Sequence, residues 1–231
     1  MPTGISPLAT AKVDHLRDVR DRSLPVYGVA IHGTGSAISE KALKHGADCL
    51  EFAIGYYLRP EAYFAHYVIG SDGTIAQLAA EHERSPHIGI PADDRQAYLS
   101  GVWKARLPKV LVDAWVTRWP AYRSPTHLYP GPSPNNAYVG IELLVWTNRC
   151  PGRPHAPGLK YTTAQHAAAA ALTLDIASRW IFPTGWQDTG RLACHEDISP
   201  LTRTSKGNGW DPGILRPAPW FDWPQFKRLS R

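Results

Sequence analysis

Three residues of this chain, two His and one Asp, could be gathered by folding around a metal ion. His195 opens the stretch Cys194-His195-Glu196-Asp197-Ile198-Ser199-Pro200, and Asp211-Pro212-Gly213 follows at short range. His32 lies far upstream, at the end of the strand-like run Val26-Tyr27-Gly28-Val29-Ala30-Ile31. Two imidazoles and one carboxylate suit a catalytic zinc that keeps its fourth position open for water, and such a centre makes a hydrolase. His195 and Asp211 are too far apart for one helix turn and need a loop, which Gly207, Gly209 and Pro212 permit. His32 would join them from a neighbouring strand end, a common way to build a site on a rigid sheet. The chain has ten histidines, so for each alone a surface or core-satisfied histidine is the ordinary alternative. Spacing does not bring the three together.

Glu142 is the sharper signal. It interrupts the near-continuous apolar run Tyr138 to Trp146, and a carboxylate buried there is costly unless it is paired or lies near a metal. Beside an acidified water it would serve as general base; the alternative is an exposed strand face or a salt bridge to arginine. Asp197, two residues past His195, is placed to orient that ring. Lys206 could face a developing oxyanion, and His87 could donate a hydrogen bond to substrate, but alone each reads as an ordinary loop residue.

The elements that must carry these residues follow from the apolar pattern. Val26 to His32 reads as a buried strand, broken by Gly33-Thr34-Gly35-Ser36. Ser39 to Leu58 shows apolar residues at three- and four-residue spacing, a helix weakened by Gly46 and Gly55. Tyr63 to Ile69 and Thr74 to Leu78 flank the turn Gly70-Ser71-Asp72-Gly73, a β-hairpin. Tyr138 to Trp146 is a central strand. Thr162-Thr163-Ala164-Gln165 has capping-box spacing and opens an alanine-rich helix to about Ile181. Leu192 to His195 is a short strand, and Phe221 to Leu229 a closing helix. Strands alternating with helices predict one α/β domain with a central mixed β-sheet flanked by helices and the zinc site on one rim. Residues 1–22 are expected to be a loosely packed leader and 23–231 the catalytic domain. An insertion is expected at about 93–135, where Trp, Tyr, Arg and Pro show no clean period. The stretch from Trp103 to Tyr129 is either a cleft wall for sugar or peptide, or hydrophobic packing.

Bulk composition narrows the class. The chain has 231 residues, 43% hydrophobic and 19% charged, enough for a core and unlike a disordered or coiled-coil chain. The net charge of +5 favours anionic partners such as a cell wall, but without a run of Lys/Arg no nucleic-acid partner is expected. Three cysteines, Cys49, Cys150 and Cys194, make no disulfide framework and no thiolate zinc site. The N-terminus lacks a secretory pattern and no apolar run reaches membrane-spanning length. The chain is therefore expected to be made in the cytoplasm, without membrane insertion. It would act there, or reach the periplasm or cell wall by a route other than an encoded signal.

The blocks occur in a recognisable order. His32 follows an apolar strand; then come Ala65-His66-Tyr67-Val68-Ile69 with Asp72-Gly73-Thr74-Ile75-Ala76-Gln77-Leu78, His87-Ile88-Gly89, and Asn136 with Val139-Gly140-Ile141-Glu142-Leu143. His195-Glu196-Asp197-Ile198-Ser199-Pro200 and Asp211-Pro212-Gly213 with Phe221-Asp222-Trp223 complete the set. Across residues 26 to 227 this order resembles the zinc-dependent N-acetylmuramoyl-L-alanine amidases of the amidase-2, or peptidoglycan-recognition-protein, superfamily. The resemblance implies one zinc ion held by His32, His195 and Asp211, with Glu142 polarising the zinc water. Substrate would be bound by His66, His87 and Asn136. In one branch a Tyr precedes the hairpin histidine; Ala65 with Glu142 instead resembles the branch containing the cytosolic anhydro-muropeptide recycling amidases and related periplasmic enzymes. The family's Lys two residues before the last ligand is replaced by Gly209, so Lys206 is the candidate for that charge, with Arg203 behind it. Cys194 stands where the family usually has Gly and is expected to pack.

The implied reaction is hydrolysis of the amide joining N-acetylmuramic acid to L-alanine in peptidoglycan or muropeptides, by a chain expected to be a monomer. A non-catalytic peptidoglycan-binding recognition protein is the alternative, against which Asp211 argues by completing the ligand set. Wall recycling, a phage endolysin, and an antibacterial effector with a cognate immunity protein all fit an amidase without a signal. The basic charge and the aromatic insertion favour intact wall.

Overall fold

The computed structural model describes residues 4–12, 24–33, 49–59, 62–144, 161–205 and 221–230. In chain order they form strands β1 (Ala11–Lys12) and β2 (Gly28–Gly33), helix α1 (Cys49–Tyr57), and strands β3 (Tyr67–Ile69) and β4 (Ile75–Gln77). Helices α2 (Ala92–Ser100), α3 (Lys109–Arg118) and α4 (Pro134–Ala137) lead into strand β5 (Tyr138–Leu143) and helix α5 (Thr163–Arg179). Strand β6 (Leu192–Cys194) and helices α6 (His195–Ile198), α7 (Pro200–Ser205) and α8 (Trp223–Leu229) follow. The strands build one six-stranded mixed sheet in the order β1-β4-β3-β5-β2-β6, parallel except at the β3–β4 hairpin. This is the expected single α/β domain with helices on both faces.

Alternation along the strands sorts the core into layers. Val29 and Ile31 of β2, Val139, Ile141 and Leu143 of β5, and Leu192 and Cys194 of β6 share one core with α5 and α8, through Leu172, Ile176 and Phe226. The opposite face is covered twice. Ala30, Tyr138 and Ala193 pack under Trp103, Trp115, Trp119 and Leu128, whereas Val68 and Ala76, nearer the hairpin edge, pack under Leu50 and Ala53 of α1. Of the two readings of Trp103 to Tyr129, packing therefore holds: Trp103 and Trp115 have no exposed surface, and Trp119 and Tyr129 are buried in the same core. Helix α3 buries only Leu111 and Trp115; a stripe that narrow leaves no clear 3.6-residue period in the sequence.

The hairpin is shorter than its apolar flanks suggested. Its turn is held by Asp72, whose Oδ1 accepts the Thr74 N–H at 2.9 Å, and by Gly73 at φ 89°. Helix α5 begins on the expected capping box: Gln165 N–H donates to Thr162 Oγ1 and Thr162 N–H donates to Gln165 Oε1, both at 3.0 Å. It ends at Arg179, before Ile181, which takes a left-handed φ of 53°. Residues 4–12, expected to pack loosely, instead supply edge strand β1, and Ser6 is fully buried with its Oγ donating to Asp175 at 2.7 Å. Residues 39–48 of the expected upstream helix lie outside the described residues. Among the described residues no helix is long and apolar enough to cross a membrane.

Candidate active site

Strand register brings the chemistry together. In the parallel pair β2–β5 His32 lies opposite Glu142, and in β2–β6 Ile31 lies opposite Cys194, so that His195 follows at the level of His32. All three residues stand at the carboxyl ends of parallel strands, the rim at which open α/β sheets bind ligands. Ile31, Ile141, Leu143 and Cys194 fill the core on one face. His32 and Glu142, one position out of phase, emerge on the other. That explains a carboxylate within an apolar strand: its neighbours in sequence face a different layer. The His32 and His195 ring centroids are 4.9 Å apart, and both rings are buried. Glu142 is half-buried.

Two more histidines close the cluster. His87 Nδ1 lies 2.8 Å from His32 Nε2, and His87 Nε2 lies 3.3 Å from the Tyr138 carbonyl oxygen. His66 stands 5.7 Å, centroid to centroid, from His87. Its Nδ1 accepts the Gly140 N–H at 3.0 Å, so its Nε2 carries the proton and donates to the Glu83 carbonyl at 3.0 Å. Those two bonds give His66 to the scaffold. Asn136 is half-buried in α4, while its neighbour Asn135 shapes the site. Asn135 Oδ1 accepts from the N–H groups of His87 at 3.2 Å and Ile88 at 2.8 Å, and its Nδ2 donates to the Ile88 carbonyl at 3.0 Å. Sequence reading missed Asn135, which no pattern marks. It also missed Gly140, although a glycine inside a strand is itself a sign of close approach.

Asp197 does not orient His195, as its spacing suggested. Its carboxylate accepts from Arg118 at 3.0 and 3.2 Å, from Trp119 Nε1 at 2.9 Å and from the Cys194 N–H at 2.9 Å. The residue thus pins α6, with His195 at its start, to α3. The fully buried Cys194 packs in the core, and burial pushes its thiol pKa well above the usual value. Helix α7 is tied to α2: Leu201 N–H donates to Tyr98 Oη at 2.9 Å and Thr202 Oγ1 to Asp94 Oδ2 at 2.6 Å. Arg203 on that helix brings Nη2 within 2.5 Å of His195 Nδ1 and 2.8 Å of Nε2. Lys206 and Asp211 lie outside the described residues.

The described donors suit a metal ion in part. Two buried imidazoles stand side by side on fixed strand ends, with a carboxylate in register beside them. A neutral imidazole has one lone pair, however, so Arg203 and an ion would claim the same lone pair of His195, and the guanidinium must turn off the ring for an ion to bind. Among the described residues no group of three or more His, Cys, Asp or Glu side chains is arranged to hold a metal.

A family model described as N-acetylmuramoyl-L-alanine amidase matches residues 22–214. No curated protein matches. Among solved structures, the crystal structure of a Se-Met AmpD derivative superposes with a TM-score of 0.55 at 20% identity, covering 100% of this chain and 99% of that one; it shares the fold. The Staphylococcus aureus hydrolase AmiA in complex with its ligand gives a TM-score of 0.47 at 9% identity, covering 96% and 84% of the two chains. The amidase LysC from Clostridium intestinale URNW gives 0.42 at 13%, covering 95% and 97%.

Proposed function

The chain belongs to the N-acetylmuramoyl-L-alanine amidase family, and from that premise we propose that it hydrolyses the amide between N-acetylmuramic acid and L-alanine in peptidoglycan, using one zinc ion. The observation that carries this reading is the register of His32 opposite Glu142, with the His195 ring 4.9 Å from that of His32. His32, His195 and Asp211 would hold the zinc, which supplies Lewis acidity toward water and the amide carbonyl. Glu142 takes a proton from the attacking water at a carboxylate oxygen and delivers it to the leaving alanine amine. The Arg203 guanidinium, once turned off the His195 ring, is one candidate to face negative charge on the carbonyl oxygen, and Lys206 is the other. With the Trp side chains of 103–135 buried, only the basic net charge still favours intact wall over soluble fragments.

The test is zinc content together with mass spectrometry of products from whole sacculi and from anhydro-muropeptides. We expect peptides with free N-terminal alanine from the wild type, and loss of both metal and cleavage in His195→Ala. Cleavage by a metal-free variant overturns the zinc reading, and binding of sacculi without cleavage makes the chain a recognition protein. Products from whole sacculi favour action on intact wall, with a cognate inhibitor expected if the chain is an effector. Products from anhydro-muropeptides alone place it in cytoplasmic recycling.

A further inference from the structure

Building on that reading of the site, we propose that His87 is a positioning residue for His32. It fixes which nitrogen of His32 carries the proton, and therefore which nitrogen offers a lone pair to a metal ion. A backbone carbonyl can only accept, so the contact between His87 Nε2 and the Tyr138 oxygen at 3.3 Å puts the proton of a neutral His87 ring on Nε2. Its Nδ1 then holds a lone pair, and His32, 2.8 Å away, donates to it from Nε2. The lone pair of His32 is thereby assigned to Nδ1. The two rings meet edge to face, 4.9 Å apart with an interplanar angle of 82°. A metal-binding imidazole whose second nitrogen is held by a fixed acceptor gains both orientation and basicity.

The surroundings of His87 are built for this. The three bonds from Asn135 hold the His87–Ile88 backbone from one side. From the other, Gly140 leaves room for the ring: a Cβ there would meet His87 Nδ1 at 2.6 Å and Cγ at 2.7 Å. The central strand gives up a side chain where the imidazole must lie against it. His66 then seals the same strand position through the Gly140 N–H. His87 itself is buried, with a partner for each nitrogen. That arrangement fits a part of the scaffold behind His32 better than a surface waiting for substrate.

The experiment compares zinc dissociation constants, from competition with a chromophoric chelator, for the full-length wild type, His87→Ala, His87→Asn and Gly140→Ala. Asparagine puts an acceptor oxygen where Nδ1 stood. We expect His87→Ala to weaken zinc binding by about 10–100-fold, His87→Asn to recover most of the loss, and Gly140→Ala to weaken binding by displacing the ring. Long-range 15N–1H spectra of the zinc-free chain should show His32 as the Nε2–H tautomer in the wild type and a mixture in His87→Ala. Unchanged zinc affinity with a raised KM in His87→Ala would return His87 to substrate binding and overturn the proposal. If the wild type binds no zinc, the amidase reading fails; the tautomer of His32 then decides the positioning role by itself, upheld if His87→Ala shifts it and overturned if not. Should His87→Ala fail to fold, the Asn and Gly140 variants carry the same comparison.

Discussion

At the scale of single residues, Glu142 carries the most. Its register with His32 joins a candidate base to a candidate ligand on adjacent strands. Glu142→Gln preserves shape and removes the proton acceptor. We expect the variant to keep its zinc and its fold and to lose activity by about 10²–10⁴-fold, the usual contribution of general acid–base catalysis. Activity within a few-fold of wild type would hand the proton to another group. The sequence marked Glu142 because a carboxylate is out of place in an apolar run. It did not mark Asn135 or distinguish the contacts of His66 and His87, because those depend on which backbone groups come within hydrogen-bonding reach after folding.

At the scale of elements, the short helix α6 is held by one buried carboxylate. Asp197 joins Arg118 and Trp119 of the α3 region to the Cys194 amide, and the Arg118 guanidinium stacks between Trp119 at 4.7 Å and Trp223 at 4.8 Å. Removing that carboxylate strands a largely buried cation and an indole N–H, a loss typically worth about 3–5 kcal/mol. We therefore expect Asp197→Ala to lower Tm sharply and to weaken zinc binding by loosening His195, as read by thermal melts and chelator competition. A Tm unchanged from wild type would mean that α6 is held elsewhere. The helices between residues 92 and 137 were invisible as periodic elements because the short ones bury only a few side chains each. The capping box of α5 was legible because its signal is local, two side chains three residues apart.

At the scale of the whole molecule, burial ties stability to pH on the alkaline side. The Cys194 thiol and the Tyr67 and Tyr138 phenols are all raised, chiefly by burial, and the Glu81 carboxylate adds to the shift at Tyr67. Tyr129 is pushed up to about 12, again by burial. A group whose folded pKa exceeds its unfolded value stabilises the fold fully below the unfolded value and loses that contribution as pH rises toward the folded one. The ordinary values are 9.0 for the thiol and 10.0 for the phenols, so stability should decline once pH passes about 9. Urea midpoints measured from neutral to strongly alkaline pH should fall, with a shallower fall in Cys194→Ala; a flat profile would contradict the burial of these groups. Another whole-molecule bond is the buried Glu81, which accepts from Tyr67, Arg179 and Trp180 and so ties the hairpin to the end of α5.

The sequence by itself determined the class of the fold, the strands that carry His32 and Glu142 and the one that leads into His195, and the family to which their order belongs. Those follow from local signals: apolar alternation, turn and cap chemistry, and motif order. Only the tertiary structure decided which side chains meet around those strand ends. Asp197 turned from His195 to Arg118, the tryptophans became core, Ala11–Lys12 joined the sheet as an edge strand, and the His87 ring came to lie 2.8 Å from that of His32. Each outcome depends on contacts between residues tens of positions apart, set by strand register and by the few ångströms of space left at Gly140, and neither is written in any one segment of the chain.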